Sequence, residues 1–524
     1  MSSGIKRRAE DIENQSVEDG VVPPLAKKRM VSECDDDTAV VQRGEQEQDR
    51  DDGEDFDDLK NGNGDTYEED QAQRSDLYLE TVERKRLDFD FEKLCSVSLS
   101  NVNVYACLVC GKYFQGRGKS SYAYFHSVDE DHHVYINLQT LKVYILPESY
   151  EVRSAALDDI KYVVNPTFTK ADVAALDTRA RESLDLNYKP YRPGFVGMNN
   201  IKQNDYVNVV LQSLAHVAPL RNFLMLADMD GRPDIVQRLS ILVRKLWSAR
   251  AFKGHVSPHE LLQDISTLSK KRFLSTEQAE PFDFMNWFLN TLHLSLGGLR
   301  SKYRSSLVQR IFQGRLRIES QRITARADAG DRLRFEADTQ IRMTEMPFMF
   351  LSLDLPPAPL FQDEIDRNII PQVALQTILS KYDGCSSQEL AGDRRRFKIL
   401  ELPPFVTLHI KRLERTQLSQ SQEINHTVVT FQPVALDMSP YVEGATQPML
   451  YDLVANITHE SVMADKEGGG GVGSGEETRH VYRVQVRDKS RDEWVQIQDL
   501  YVEDIRRETL FLSESYIQIW ERRR

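Results

Sequence analysis

Two cysteines and a run of histidines in the first third of the chain have the types and spacing of a metal site. Cys107-Leu108-Val109-Cys110 is followed by Gly111-Lys112-Tyr113-Phe114-Gln115-Gly116-Arg117-Gly118, then by His126 and by the pair His132-His133. A two-residue gap lets both thiolates reach one ion from a tight knuckle, and two imidazoles complete the tetrahedral N/S set that holds structural zinc. Cys107, Cys110, His126 and His132 are therefore the expected ligands of one zinc ion. The competing reading is a redox Cys-x-x-Cys beside unrelated surface histidines, but nothing nearby reads as the strand-to-helix turn that such motifs occupy. Cys95 reads as a core residue, with a spare ligand as the alternative. Cys385, in Tyr382-Asp383-Gly384-Cys385-Ser386, reads as a loop residue with no local feature of an activated nucleophile.

The elements that must position these groups follow from periodicity. Val134-Tyr135-Ile136-Asn137-Leu138 and Leu141-Lys142-Val143-Tyr144-Ile145-Leu146 read as two strands around a short turn, placed just after the histidines. Thr169-Lys170-Ala171-Asp172-Val173-Ala174-Ala175-Leu176 has the start signal of a helix, so residues 166–189 are expected to form a helical linker. Val207, Val210, Leu211, Leu214 and Val217 recur at helical spacing, which puts Asp205 where an N-cap would stand, a role worth about 1 kcal/mol.

Charge and length bound the rest. A chain of 524 residues is too long for one ordinary core, so two or more domains are expected. Five cysteines at this length form no disulfide framework, and the opening Met-Ser-Ser-Gly-Ile-Lys-Arg-Arg has no apolar signal core, so a reducing compartment is expected. The most apolar long stretch, residues 207–227, is interrupted by Asn208, Gln212, His216, Pro219 and Arg221, which argues against a membrane span. Of the net charge of -14, residues 1–76 carry -13, from 10 Lys and Arg against 23 Asp and Glu. Such a tract cannot bury enough apolar surface to offset its ordering entropy and reads as disordered. Within it, Lys6-Arg7-Arg8 and Pro23-Pro24-Leu25-Ala26-Lys27-Lys28-Arg29 read as a two-part nuclear import signal. No basic stripe with interleaved aromatics supports direct nucleic-acid binding.

Several segments together resemble the ubiquitin-specific proteases. Gly197-Met198-Asn199-Asn200-Ile201-Lys202-Gln203-Asn204-Asp205-Tyr206-Val207-Asn208 is similar to that family's nucleophile box, Gly-Leu-x-Asn-Leu-Gly-Asn-Thr-Cys-Tyr-x-Asn-Ser. Gln278-Ala279-Glu280-Pro281-Phe282-Asp283-Phe284, the strand-like residues 402–413, Tyr451-Asp452-Leu453-Val454-Ala455-Asn456-Ile457-Thr458-His459, and His480-Val481-Tyr482-Arg483-Val484-Gln485-Val486 follow in the family's order. Upstream, the Cys-Gly-Lys-Tyr-Phe-Gln-Gly-Arg-Gly run resembles the zinc finger often attached to these proteases, with Ser98 and Tyr122 standing where single-zinc relatives place a Cys and a His.

The resemblance implies an α+β chain: a finger over residues 87–165, then a papain-like domain of fingers, palm and thumb over 190–523. It also implies a lost active site. The nucleophilic cysteine's place is taken by Asp205, a weak attacker of amides whose charge would oppose the oxyanion. Asn200 matches the oxyanion asparagine, Val481 falls at the general base with His480 one place early, and Gln498 falls at the third member. A one-residue slip on a strand turns a side chain to the other face. Residues 308–346 hold no cysteine, so the fingers lack the family's second zinc site, although Val308-Gln309-Arg310-Ile311-Phe312-Gln313-Gly314-Arg315-Leu316 matches the strand that begins them. The resemblance narrows to the family's inactive spliceosomal branch. It implies a nuclear, noncatalytic scaffold of pre-mRNA splicing that supports U4/U6.U5 tri-snRNP assembly, contacting RNA only within the particle and ubiquitin weakly if at all. The alternatives are a ubiquitin-binding reader, using the finger that in relatives holds ubiquitin's C-terminal Gly-Gly, or a residual isopeptidase acting through Cys385.

Overall fold

The structure is a computed structural model that describes residues 78–523, apart from 328–332, 338–339, 358–369, 391, 416–421 and 464–477. The acidic tract, its two basic clusters and the glycine-rich residues 468–475 lie outside the described residues.

The first cysteine of the expected metal site ends a strand, and that strand is central to a small sheet. Five antiparallel strands run in the order Tyr113–Gln115, Val104–Cys107, Val134–Asn137, Val143–Ile145 and Tyr150–Val152. Both predicted strands after the histidines are present, trimmed at their ends. Every residue of Val134–Asn137 is buried because each face of the sheet is covered. One face packs Leu87, Phe89, Leu108, Ile136 and Ile160, while the other packs Tyr105, Cys107, Phe114 and Tyr135. The helix Tyr122–Asp129, capped by the Ser121 hydroxyl, lies beside the metal-site residues and carries His126 on it.

The finger does not hang from a free linker. Thr169 and Asp172 form a reciprocal capping box, but the helix they start spans only Lys170–Ala175, far less than the predicted linker of 166–189. Orientation is set instead by the segment leading into the finger sheet. Lys245 donates to the Asp90 carboxylate at 2.7 Å and to the Phe89 carbonyl at 2.8 Å, Lys253 pairs with Asp88, and His259 meets Glu92 at 2.6 Å. Phe252, from the same stretch as Lys253, completes the finger's apolar core.

The larger domain has a helical thumb, an eight-stranded palm and a fingers sheet. The thumb contains the helices Asp205–Ala215, Ala218–Leu226, Asp234–Leu246, His259–Leu268, Pro281–Ser295 and Leu307–Phe312. The main path of the palm sheet orders Leu351–Asp354, Phe405–Lys411, Glu514–Arg522, Leu450–Met463, Thr478–Asp488, Glu493–Gln498 and Tyr501–Ile505. The core between them joins Val207, Val210 and Leu214 of the thumb to Ile457, Tyr482, Val484 and Ile517 of the palm. Phe282 stacks on His409 of the palm at 3.6 Å, and burial pushes that imidazole down to about 3, so it is a neutral packing partner.

Two local expectations fail. Val308 to Phe312 belongs to a helix, Leu307–Phe312, capped by Ser306, and the fingers strand begins only at Gly314. Cys385 lies inside the strand Asp383–Leu390 rather than in a loop, with Asp383 accepting from the Cys385 and Ser386 amides. Among the described residues no single helix is long and apolar enough to cross a membrane.

Candidate functional site

In the finger, sequence spacing becomes a cluster. A turn after Cys107 brings the Gly111 amide to the Cys107 carbonyl at 2.9 Å, with Gly111 at φ 79° where a Cβ would strike the Arg86 carbonyl oxygen. Cys110 Sγ then lies 3.3 Å from His126 Nε2, and His132 Nδ1 lies 3.1 Å from the same nitrogen. One donor atom from each of Cys107, Cys110, His126 and His132 falls within 4.8 Å of the others. Edges of a tetrahedron with zinc bonds of ~2.0–2.3 Å would be about 3.3–3.7 Å, so the donor set and its spacing fit zinc. The hydrogen bond from the Cys107 thiol holds the Cys110 thiol down to about 4, a thiolate ready for a cation. His133 is turned elsewhere, its two nitrogens on the Leu146 carbonyl at 2.7 Å and Asp131 at 2.9 Å. Phe114 stacks on His126 at 4.2 Å and fixes its ring plane. Cys95 is fully buried, and its sulfur accepts from the Ser98 amide at 3.4 Å.

At the thumb–palm boundary, Asp205, which the resemblance puts in the nucleophile's place, is buried. Asp205 is not the cap of its helix: Asn204 holds the cap position without a side-chain cap bond, and Asp205 is the first helical residue. Its Oδ2 accepts from the Gln278 amide at 2.7 Å and from the Tyr482 backbone amide at 3.4 Å. Oδ1 is buried without a hydrogen-bond partner. Burial, abetted by the nearby Asp499 charge, pushes the carboxyl above its usual range. Gln278 also donates to the His480 carbonyl at 2.9 Å, so one amide ties the thumb helix to the palm strand.

The neighbouring positions are equally committed. Asn200 directs its amide nitrogen to Asp499 Oδ2 at 2.9 Å, and its oxygen accepts from the Asn204 amide at 3.1 Å. Asn208 donates to Asp499 Oδ1 at 2.9 Å and to the Asn199 carbonyl at 3.2 Å. Gln498 accepts from Arg483 Nε at 2.7 Å. Val481 is half-buried and stands opposite Glu460 in the strand register, while His480 faces His459 at 3.1 Å. The Gly197 Cα approaches the Leu500 backbone so closely that a Cβ would sit 2.7 Å from Leu500 Cα, which brings the Asp499 turn against the asparagine box.

Sequence reasoning placed Asp205, Asn200, Val481 and Gln498 in one neighbourhood but missed Asp499 as its organiser. The sequence signal was only the density of side-chain amides at Asn199, Asn200, Asn204 and Asn208, which need acceptors once buried. Asn204 does donate to Asn208 at 2.9 Å, and Asp499 terminates the chain of amides. Chemically the centre is a polar network in which Asp205 Oδ1 is left without a partner. Asp205 puts a hydrogen-bonded carboxyl group at the start of its helix, a far weaker attacker of amides than a thiolate.

Comparison with known proteins agrees with this geometry. Residues 196–520 match the ubiquitin carboxyl-terminal hydrolase family, and residues 95–157 match the zinc finger in ubiquitin hydrolases and other proteins. The chain is 51% identical over 479 residues to the probable mRNA-splicing protein ubp10 of Schizosaccharomyces pombe, covering 90% of this chain and 93% of that one. It is 44% identical to ubiquitin carboxyl-terminal hydrolase 39 of Homo sapiens, covering 88% of this chain and 82% of that one. A crystal structure of an essential yeast splicing factor superposes with a TM-score of 0.69 at 29% identity, covering 86% of this chain and all of that one. With a finger followed by a thumb, palm and fingers, this chain belongs to the ubiquitin carboxyl-terminal hydrolase family, and its close homologues are splicing proteins.

Proposed function

We propose that this chain is a noncatalytic nuclear scaffold of pre-mRNA splicing that supports assembly or stability of the U4/U6.U5 tri-snRNP. The observation that carries the noncatalytic half is the Gln278 to Asp205 bond, which locks a carboxylate into the nucleophile's position. With Val481 at the base position and Gln498 bound to Arg483, no catalytic member stands at any of the three places. The splicing half rests on a relative named a probable mRNA-splicing protein, aligned over 90% of this chain, and on the likeness to a yeast splicing factor over 86% of it. The two basic clusters before residue 30 support nuclear import.

One structural zinc is held by Cys107, Cys110, His126 and His132, and bound there it ties the knuckle to the helix Tyr122–Asp129. The domains run from an acidic tail over 1–76 through the finger over 87–165 and the linker over 166–189 to the protease-like domain over 190–523. Partners are tri-snRNP proteins.

Affinity purification of the tagged chain from nuclear extract, with RNA and protein identified in the same eluate, tests the reading. Enrichment of U4, U5 and U6 RNAs with their proteins supports it. Recovery of ubiquitin conjugates without snRNPs overturns it in favour of a ubiquitin reader.

A further inference from the structure

A second histidine cluster lies on the palm, and neither the finger nor the degenerate catalytic centre uses its side chains. His459, on the strand Leu450–Met463, faces His480, on the strand Thr478–Asp488, with Nε2 and Nδ1 3.1 Å apart. That separation equals the one between His126 and His132 in the finger. His459 pairs with Tyr482 in the register and His480 with Ser461, so alternation puts His459, Ser461, His480 and Tyr482 on one face. The Ser461 hydroxyl is buried there without a hydrogen-bond partner.

Behind His459 stands a carboxylate. Glu514 Oε2 accepts from His459 Nδ1 at 3.5 Å, and its other oxygen accepts from His426 Nδ1 at 2.7 Å. A carboxylate that holds one imidazole nitrogen as N–H leaves the other as a lone pair. This is how metal-binding histidines are oriented and made more basic. His459 Nε2 then faces His480 Nδ1 across the 3.1 Å gap. His459 has a side chain only 6% exposed, whereas His480 is half-exposed and gives an ion a way in.

We propose that His459 and His480 form a second metal site, taking a divalent ion of the zinc class between two palm strands. For both facing nitrogens to bind one ion, His459 carries its hydrogen on Nδ1 toward Glu514 and His480 carries its hydrogen on Nε2. Two imidazoles with water, and the Ser461 hydroxyl at the rim, make an N/O set that suits zinc, copper or nickel. Without thiolates the site is weaker than the finger by roughly a hundredfold or more. Its role is a staple: bound metal clamps the two strands where residues 464–477 leave and re-enter the sheet.

Zn2+ titration of the full chain, purified with its finger already loaded, tests this by calorimetry. One further equivalent is expected to bind, with a zinc-dependent rise in unfolding midpoint. H480A and H459A should each abolish that equivalent, E514Q should weaken it about tenfold, and H426A should leave it within about twofold because His426 only shares the carboxylate. H480A alters a half-exposed side chain, so it keeps the test valid if H459A fails to fold. A chain that takes up no further zinc, or a further equivalent that survives in H480A, overturns the proposal.

Discussion

The Gln278 side-chain amide joins the Asp205 carboxylate at 2.7 Å and the His480 carbonyl at 2.9 Å, spanning thumb and palm with one group. In a working cysteine protease the corresponding cleft must admit a substrate and develop charge at the helix start. Here Asp205, at the start of its helix, is engaged by a hydrogen bond from another side chain of the chain itself. The consequences can be measured residue by residue.

Asp205→Asn should stabilise the protein at neutral pH. Burial raises the folded carboxyl above its unfolded value, so between those values the folded chain holds more protons than the unfolded one. Stability therefore falls as pH rises through that window, and the penalty is complete above it. Asparagine keeps an oxygen for Gln278 and Tyr482 without the charge. Urea unfolding of both proteins should show the variant ahead at pH 7, with the gap closing as pH falls toward the ordinary carboxyl range near about 4.

Gln278→Ala should cost about 1.5–3 kcal/mol at pH 7, the range for a hydrogen bond to a charged group, because it leaves a buried carboxylate short of its best donor. In the Asp205→Asn background the same substitution should cost less. A double-mutant cycle that returns no coupling would mean the two side chains do not act on each other.

Lys245→Ala removes the ammonium shared by Asp90 and the Phe89 carbonyl, both in the segment that docks the finger on the thumb. A loss of roughly 1.5–3 kcal/mol is expected. Limited proteolysis should open the connection over residues 166–189 in this variant before either domain is cut. Equal protease resistance in both proteins would show that the docking does not depend on this contact.

Chelation should unfold the finger first. Cys107, Phe114 and Tyr135 share an apolar cluster with the metal-site side chains around them, so losing zinc removes a support of that core. Near-ultraviolet circular dichroism from the finger tyrosines should change on adding chelator and recover with zinc, and Cys110→Ser should mimic the chelated state. An unchanged spectrum would contradict the assigned ligands.

Much of this was legible in the chain because it was written in local spacing. The metal site follows from Cys107, Cys110 and His126, since a knuckle and a short helix place them whatever surrounds the finger. His132 rather than His133 joins the cluster because His133 is held by the Leu146 carbonyl and Asp131, contacts that the spacing alone does not show. Helical periodicity found the buried helix beginning at Asp205 but misjudged its first residue by one, because Asn204 is held by side-chain bonds to Asn199 and Asn208. The resemblance put a strand over residues 308–316, whereas Val308 to Phe312 lie in a helix started by the Ser306 cap, and so short an apolar run gives periodicity no means of telling the two apart. The role of Asp499 and the docking of Asp88, Asp90 and Glu92 join residues far apart in sequence, and no window of local pattern contains both partners.

The most direct test of the noncatalytic reading uses nuclear extract depleted of this protein and measures tri-snRNP recovery by sedimentation. The extract is supplemented with the wild-type chain or with a variant carrying Asp205→Asn and Cys385→Ser, which removes the residue in the nucleophile's place and the exposed thiol. Equal restoration of the tri-snRNP peak is the expected result. Restoration by the wild type alone, from a variant that folds with the same unfolding profile, would contradict a scaffold and return an enzyme to consideration.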